Sequence, residues 1–335
     1  MKANSPKPRR RSWRSAWGAP RPRPSGARGF PANGIALEII VADNAGFCFG
    51  VERALEMVMG ERERPASASP KQAHRPIHTL GPLIHNPQVV ERLREAGVGQ
   101  VASVEEVASG GTLAIPSHGI SPEVLEQARA RGLRLLDATC PFVARAQDNV
   151  RSLAAEGYQV IILGDKGHPE VAGLVGAAGG RAVVVENEEE LASVRLRQRV
   201  GLVVQTTQAP ARLRAVAGAL AERARELRAY NTICAATSQR QESAVRLARQ
   251  VDVMIVVGGK NSANTNRLRQ VCAQAGVETH HVETAAELDP RWFEGKQRVG
   301  VTAGASTPDW IINEVVEALR GMAPECHSER GEESR

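Results

Sequence analysis

The sequence predicts an α/β protein: three similar α/β units with parallel sheets, set in a pseudo-threefold arrangement around a central site. Three observations predict it. Short apolar, β-branched runs such as "YQVIILG" and "VDVMIVVGG" alternate with helical patterns, the signature of parallel strands covered on both faces. The same order of elements recurs three times along the chain. Three of the five cysteines, Cys48, Cys140 and Cys234, fall 92 and 94 residues apart, a regularity that points to internal repeats.

The first unit is expected over residues 37–139. It starts with a strand in "ALEIIVADN", and Cys48 then opens the helix "VERALEMVMG". "PIHTLGPLIHNPQ" supplies a strand and polar loop, "VEEV" a short acidic segment, and "TLAIPSHGISPE" a second strand with a polar end. The second unit, 140–233, repeats this order with Cys140 before "PFVARAQDNVRSLAAEG", then "YQVIILGDKGHPE", "NEEELASV" and "VGLVVQTTQAPA". The third, 234–320, has Cys234 before "AATSQRQESAVRLARQ", then "VDVMIVVGGKNSANTN", "ETAAELDP" and "VGVTAGASTPDW".

Composition narrows the function classes. Hydrophobic residues make up 42% of the 335 and charged residues 24%, as in ordinary globular proteins, while 3% aromatic argues against a stacking-based nucleic-acid binder. No apolar run reaches the roughly 18 to 20 residues of a membrane span. The formal charge of +6 sits in the leader: residues 1–36 hold nine Lys or Arg and no Asp or Glu, leaving 34 basic against 37 acidic residues elsewhere. That Pro- and Arg-rich leader is expected to be disordered, a start-site extension or solvated tail rather than a plastid targeting segment. Residues 321–335 read as a similar polar tail. Neither a nucleic-acid nor a membrane partner is expected, and the location expected is the bacterial cytoplasm.

An odd number of cysteines in a chain of this length argues against a disulfide framework. Cys272 lies on a helical pattern and reads as a small buried hydrophobe, and Cys326 lies in the tail. Cys48, Cys140 and Cys234 each stand where a strand gives way to a helix. In parallel α/β units ligands collect at the carboxyl ends of strands, so a threefold arrangement can bring the three sulfurs to one point. Thiolates gathered there repel one another unless a metal neutralises them. The alternatives are three separate core cysteines, or a central cluster site holding zinc or an iron-sulfur cluster. Three ligands instead of four would leave an open, reactive coordination position.

The loops at the strand ends carry His85, His118, His168, Glu170, Thr206, Ser262, Asn264 and Ser306. Serine and asparagine in such places serve equally as helix caps. Backbone N–H groups at converging helix N-termini, together with these donors, would make a phosphate site. Glu170 is the sole carboxylate among these loop tips, either a proton carrier or a first-turn residue favoured by the helix dipole. Familiar nucleotide signatures are missing: "VVGGKNSA" lacks the P-loop pattern, and no strand is followed by GxGxxG.

Taken together, "NAGFCFGVERAL", "LIHNPQVVERL", "SHGIS", "DATCPFV", "GHPEVAG", "QTTQ", "VGGKNSANTNRL" and "VTAGASTPDW" resemble, in order, the motifs of the LytB-type 4-hydroxy-3-methylbut-2-enyl diphosphate reductases. These enzymes take the last step of the methylerythritol phosphate route. The resemblance spans about Ile39 to Leu319. It implies one 4Fe-4S cluster held by Cys48, Cys140 and Cys234, with its fourth iron open to the substrate's hydroxyl. It implies a diphosphate held by His85, His118, His168, Ser262, Asn264 and Ser306, with Thr206 near the hydroxyl end and Glu170 delivering protons. Ferredoxin or flavodoxin would donate two electrons, removing the hydroxyl as water to leave isopentenyl or dimethylallyl diphosphate. One departure is Ala263, where the family commonly has a second serine. It removes one phosphate hydrogen bond of about 1.5 to 3 kcal/mol. A quinolinate synthase-like dehydratase, also three-cysteine and pseudo-threefold, is the competing enzyme class. An iron-sulfur or zinc sensor is the competing non-enzyme.

Overall fold

The structure, a computed structural model, describes residues 37–63 and 76–322. The expected leader 1–36 and residues 323–335 of the expected tail lie outside the described residues.

The chain enters on β1 (Glu38–Val41) and then builds three units in sequence. The first contains α1 (Phe49–Arg62), β2 (Ile77–Leu80), α2 (Pro87–Glu95), β3 (Val98–Val101), β4 (Thr112–Ile115), α3 (Pro122–Ala130) and β5 (Arg134–Asp137). The second contains α4 (Pro141–Ala155), β6 (Gln159–Leu163), α5 (Pro169–Ala177), β7 (Val183–Val185), α6 (Glu188–Ala192), β8 (Arg199–Val204), α7 (Pro210–Arg223) and β9 (Glu226–Tyr230). The third contains α8 (Ala235–Ala248), β10 (Val253–Val257), α9 (Ala263–Gln274), β11 (Glu278–Val282), β12 (Arg298–Ala303) and α10 (Asp309–Gly321).

Three four-stranded sheets result, in the orders β3-β2-β4-β5, β7-β6-β8-β9 and β11-β10-β12-β1. Every pairing is parallel. The fold expected from sequence, three α/β units with parallel sheets, is what the chain adopts.

The first described strand is a correction. The sequence reading placed it in the first unit, but β1 pairs with β12 and forms the edge of the third sheet, Glu38 opposite Arg298 through Val41 opposite Val301. The physical reason lies in the repeat itself. Each sheet's fourth strand, β5, β9 or β1, leads out of its own unit into the cysteine and helix that open another. β1 takes this edge place in the third sheet, beside β12, so that sheet is closed by a strand that precedes the first unit in sequence.

The continuous apolar runs are explained by burial on two faces. Along β10, Val253, Ile255 and Val257 pack into one core cluster while Met254 and Val256 pack into another. Along β6, Val160 and Ile162 face one cluster and Ile161 and Leu163 the opposite one. Successive side chains point to opposite faces of a strand, so a sheet covered on both sides needs no polar alternation. Each such side chain contributes about 1.5 to 3 kcal/mol. Helices α2, α3, α4, α5 and α7 begin with proline in the first turn. There the missing N–H costs nothing and the fixed φ suits the helix. The starts of the helices, and hence the loops before them, are thereby fixed in place.

Candidate functional site

The three cysteines are the residues capping α1, α4 and α8, and none of their side chains is used as a cap. Their backbones are pinned by one hydrogen bond repeated in all three units. The N–H of Cys48 donates to Ala305 O at 3.1 Å, that of Cys140 to Ser117 O at 2.9 Å, and that of Cys234 to Thr206 O at 3.0 Å. The acceptors lie just past β12, β4 and β8, the third strands of their sheets. This is pseudo-threefold symmetry at the level of single hydrogen bonds, and it brings Cys48, Cys140 and Cys234 onto the wall of one cavity of about 120 Å³.

The sulfurs of Cys48 and Cys140 face one point. A Cβ built on Gly50, in the first turn of α1, would lie 2.6 Å from Cys140 Sγ and 3.9 Å from Cys48 Sγ. Burial pushes the Cys140 thiol up, and the charges of Cys48 and Cys234 push it further. Burial also raises Cys234. Without a cation Cys140 and Cys234 therefore hold their protons, which a metal would displace. Among the described residues no group of three His, Cys, Asp or Glu side chains stands in the arrangement of a bound metal ion. Cys272, by contrast, is fully buried in the core, its thiol pushed up to about 12 by burial.

The same cavity is lined by His85, His118, His168, Glu170, Thr206, Ser262, Asn264 and Ser306. All eight residues expected in the strand-end loops are thus brought together with the three cysteines. His85, His168, Ser262 and Asn264 follow the first strand of each unit, β2, β6 and β10. His118, Thr206 and Ser306 follow β4, β8 and β12.

The imidazoles form a cluster. His85 stacks on His118 at 5.2 Å between ring centroids and meets His168 at 5.3 Å. Burial lowers all three, His118 to about 3 and His168 to about 4, with mutual repulsion from His85 adding to both. They are neutral at pH 7. His118 Nδ1 lies 3.0 Å from Gly119 O, a carbonyl that only accepts, so that nitrogen carries the proton. His168 Nδ1 instead accepts from the Glu170 N–H at 3.1 Å as the cap of α5, leaving its Nε2–H to donate elsewhere.

Buried polar atoms rarely stay unpaired, yet among the described residues His85 Nε2, His118 Nε2, both amide atoms of Asn264 and Thr207 Oγ1 have no partner. Unpaired atoms from several loops on one cavity mark a place for a polar ligand. Ser262 also caps α9, accepting from Thr265 N–H at 3.3 Å, so its capping reading holds too. Ser306 Oγ donates to His85 O at 2.9 Å, tying the third unit to the first.

Glu170 is buried in the first turn of α5. Its Oε1 accepts from Thr206 N–H at 2.7 Å and its Oε2 from Thr206 Oγ1 at 2.9 Å. Burial outweighs these bonds and pushes the carboxyl up to about 7. A group poised there gives or takes a proton near neutral pH.

The geometry can be set beside known proteins. The model of the LytB protein family matches residues 39–320. The chain belongs to the LytB family. Among relatives named 4-hydroxy-3-methylbut-2-enyl diphosphate reductase, that of Geobacter metallireducens is 48% identical over 284 residues, covering 85% of this chain and 97% of the relative. That of Aquifex aeolicus is 48% identical over 282 residues, covering 83% and 94%. A solved structure described as (E)-4-hydroxy-3-methyl-but-2-enyl diphosphate reductase, the terminal enzyme of the non-mevalonate pathway, is 45% identical. It superposes with a TM-score of 0.61, covering 85% of this chain and 99% of that one. The E-1-hydroxy-2-methyl-but-2-enyl-4-diphosphate reductase of Plasmodium falciparum is 27% identical with a TM-score of 0.78, covering 84% and 87%.

In this LytB-family chain the cavity also holds a residue that sequence reasoning passed over. Arg240, on α8, is buried against the cysteines. A charged residue on the face that the "AVRLA" pattern turns inward was the available signal. A second omission is the network behind Glu170. Arg267 donates to Asp165 at 2.9 Å and Gln208 Nε2 to the same oxygen at 3.1 Å, joining the loop before α5 to α9 of the third unit. Nothing in the local pattern announces a pair 102 residues apart. Among the described residues no helix is long and apolar enough to cross a membrane.

Proposed function

We propose that this protein is an iron-sulfur reductase acting on (E)-4-hydroxy-3-methylbut-2-enyl diphosphate. With two electrons and two protons it removes the hydroxyl as water and yields isopentenyl and dimethylallyl diphosphate. The observation that carries the reading is the single cavity that gathers three uncommitted cysteines, a carboxyl poised near 7 and several unpaired buried polar atoms.

Cys48, Cys140 and Cys234 would hold one 4Fe-4S cluster. Their place on one cavity wall and the buried guanidinium of Arg240 beside them suit an anionic core. When bound, the core supplies electrons and Lewis acidity at an open position. The residues of the chain do the rest. His85, His118, His168, Ser262, Asn264 and Ser306 hold the diphosphate, so that the carbon chain lies toward the cysteines. His118 Nε2, which has no protein partner among the described residues, takes a phosphate-borne proton or becomes protonated beside the anion. Thr206 orients the carboxyl of Glu170, and Glu170 protonates the departing hydroxyl. Ferredoxin or flavodoxin would donate the electrons, in a compartment reducing enough to keep the thiols free, such as the bacterial cytoplasm.

The test is anaerobic reconstitution. The reading expects about four irons per chain, a brown chromophore, and consumption of the hydroxylated diphosphate by dithionite-reduced protein with a viologen mediator. One zinc per chain, or reconstituted protein that leaves the diphosphate untouched, would overturn it.

A further inference from the structure

The guanidinium of Arg240 is buried, with 3% of the residue exposed. Its Nη2 donates to Gly46 O at 2.7 Å, 194 residues away in sequence, and its Nη1 to Ala236 O at 3.2 Å. Its Nε is buried without a partner among the described residues. Gly46 lies two residues before Cys48 in a left-handed conformation, φ +101°, and Ala236 lies two residues after Cys234. One side chain therefore joins the segments that present two of the three sulfurs.

The charge itself has no matching carboxylate. The groups facing Arg240 that can carry negative charge, as thiolates, are Cys48 and Cys234. A buried cation is costly unless an anion faces it. The rest of the family site explains the cavity without this residue, so the cation needs its own account.

We infer that Arg240 is a positioning residue for the core: it clamps the Cys48 loop to the Cys234 helix and sets a fixed positive charge beside the sulfurs, which favours electron entry. This rests on the reading that the three cysteines hold an iron-sulfur core. Each reduction adds one electron and forms no bond, so the reduced state carries one more negative charge, and a buried cation stabilises that state more. Arg53 is the built-in contrast. It donates to Thr139 O at 3.0 Å beside Cys140, a similar clamp on the neighbouring cysteine, but is only partly buried and so should act on the potential far less.

The experiment compares reconstituted wild type with Arg240→Lys, Arg240→Gln and Arg53→Gln by iron content and by redox titration with viologen mediators. Four irons and turnover in wild type establish the underlying reading on their own, and a wild type without them defeats that reading before any variant is compared. In Arg240→Gln the reduced-to-oxidised ratio at a fixed potential should fall at least tenfold, 59 mV for one electron. Arg240→Lys, which keeps the charge, should stay within threefold of wild type, as should Arg53→Gln. If Arg240→Gln retains no iron while Arg240→Lys does, the charge is needed to hold the core and the inference stands. Wild-type potential in Arg240→Gln, equal shifts in the Gln and Lys variants, or loss of iron from both would overturn it.

Discussion

Replacing Glu170 by glutamine tests the proton role and the burial of the carboxyl together. The side chains have the same shape. Glutamine Oε1 can still accept from Thr206 N–H, and its amide can donate to Thr206 Oγ1, so both contacts to Thr206 survive. What is lost is the transferable proton. General acid catalysis contributes about 10² to 10⁴-fold, or roughly 3 to 5 kcal/mol of barrier, so kcat should fall by that factor while KM stays near its wild-type value.

The same substitution has a stability signature of opposite sense. The folded carboxyl titrates at about 7 against an unfolded value of 4.5. Below pH 4.5 both states are protonated and nothing is lost. Between 4.5 and 7 the unfolded chain releases a proton that the folded chain keeps, so stability falls as pH rises. Above 7 the loss is complete, on the order of 3 kcal/mol at 1.36 kcal/mol per pH unit. Glu170→Gln lacks this titration and should be the more stable protein at pH 8, with the advantage gone at pH 4.5. Urea melts at both pH values, with wild type and variant in the same cluster state, measure it. Turnover at the wild-type rate, or an advantage that does not depend on pH, would refute the reasoning.

Three further substitutions probe the surrounding geometry. Gly50→Ala places a Cβ 2.6 Å from Cys140 Sγ, closer than a non-bonded carbon and sulfur tolerate, so the sulfur must shift. Iron per chain after reconstitution should drop by half or more while the far-UV circular dichroism is unchanged. Ala263→Ser adds a hydroxyl on the cavity wall and should tighten binding of inorganic diphosphate about tenfold, worth a hydrogen bond to a charged group of roughly 1.5 kcal/mol, read by calorimetry. Arg267→Ala leaves Asp165 without its cationic partner between the second and third units. Because Asp165 is one-third exposed, the loss is discounted from the buried-pair value to about 1 to 3 kcal/mol, measured by chemical denaturation.

Much of this site is legible in the sequence because each half-unit repeats one rule. A strand buried on both faces ends in a polar loop, and the loop ends in a helix start. His168 before Pro169 and Ser262 before Ala263 obey it after β6 and β10, Cys140 before Pro141 follows the edge strand β5, and a parallel sheet sends all these loops to one end. The residues that escaped notice act across units. Arg240 reaches Gly46 and Arg267 reaches Asp165, and no window of neighbouring residues contains such a pair. Ser262 shows the limit from the other side, since a serine in that place caps its helix and lines the cavity at once.

By itself the sequence determined the alternation of strand and helix, the threefold recurrence and the candidate donors, because hydrophobic period and helix-start chemistry are local properties of the chain. Tertiary structure alone decided that β1 closes the third sheet, that burial lifts Glu170 and lowers the histidines, and that Arg240 sits against the cysteines. Pairing partners, desolvation and the field of distant charges depend on which segments meet, and that is settled only when three sheets close around a common centre.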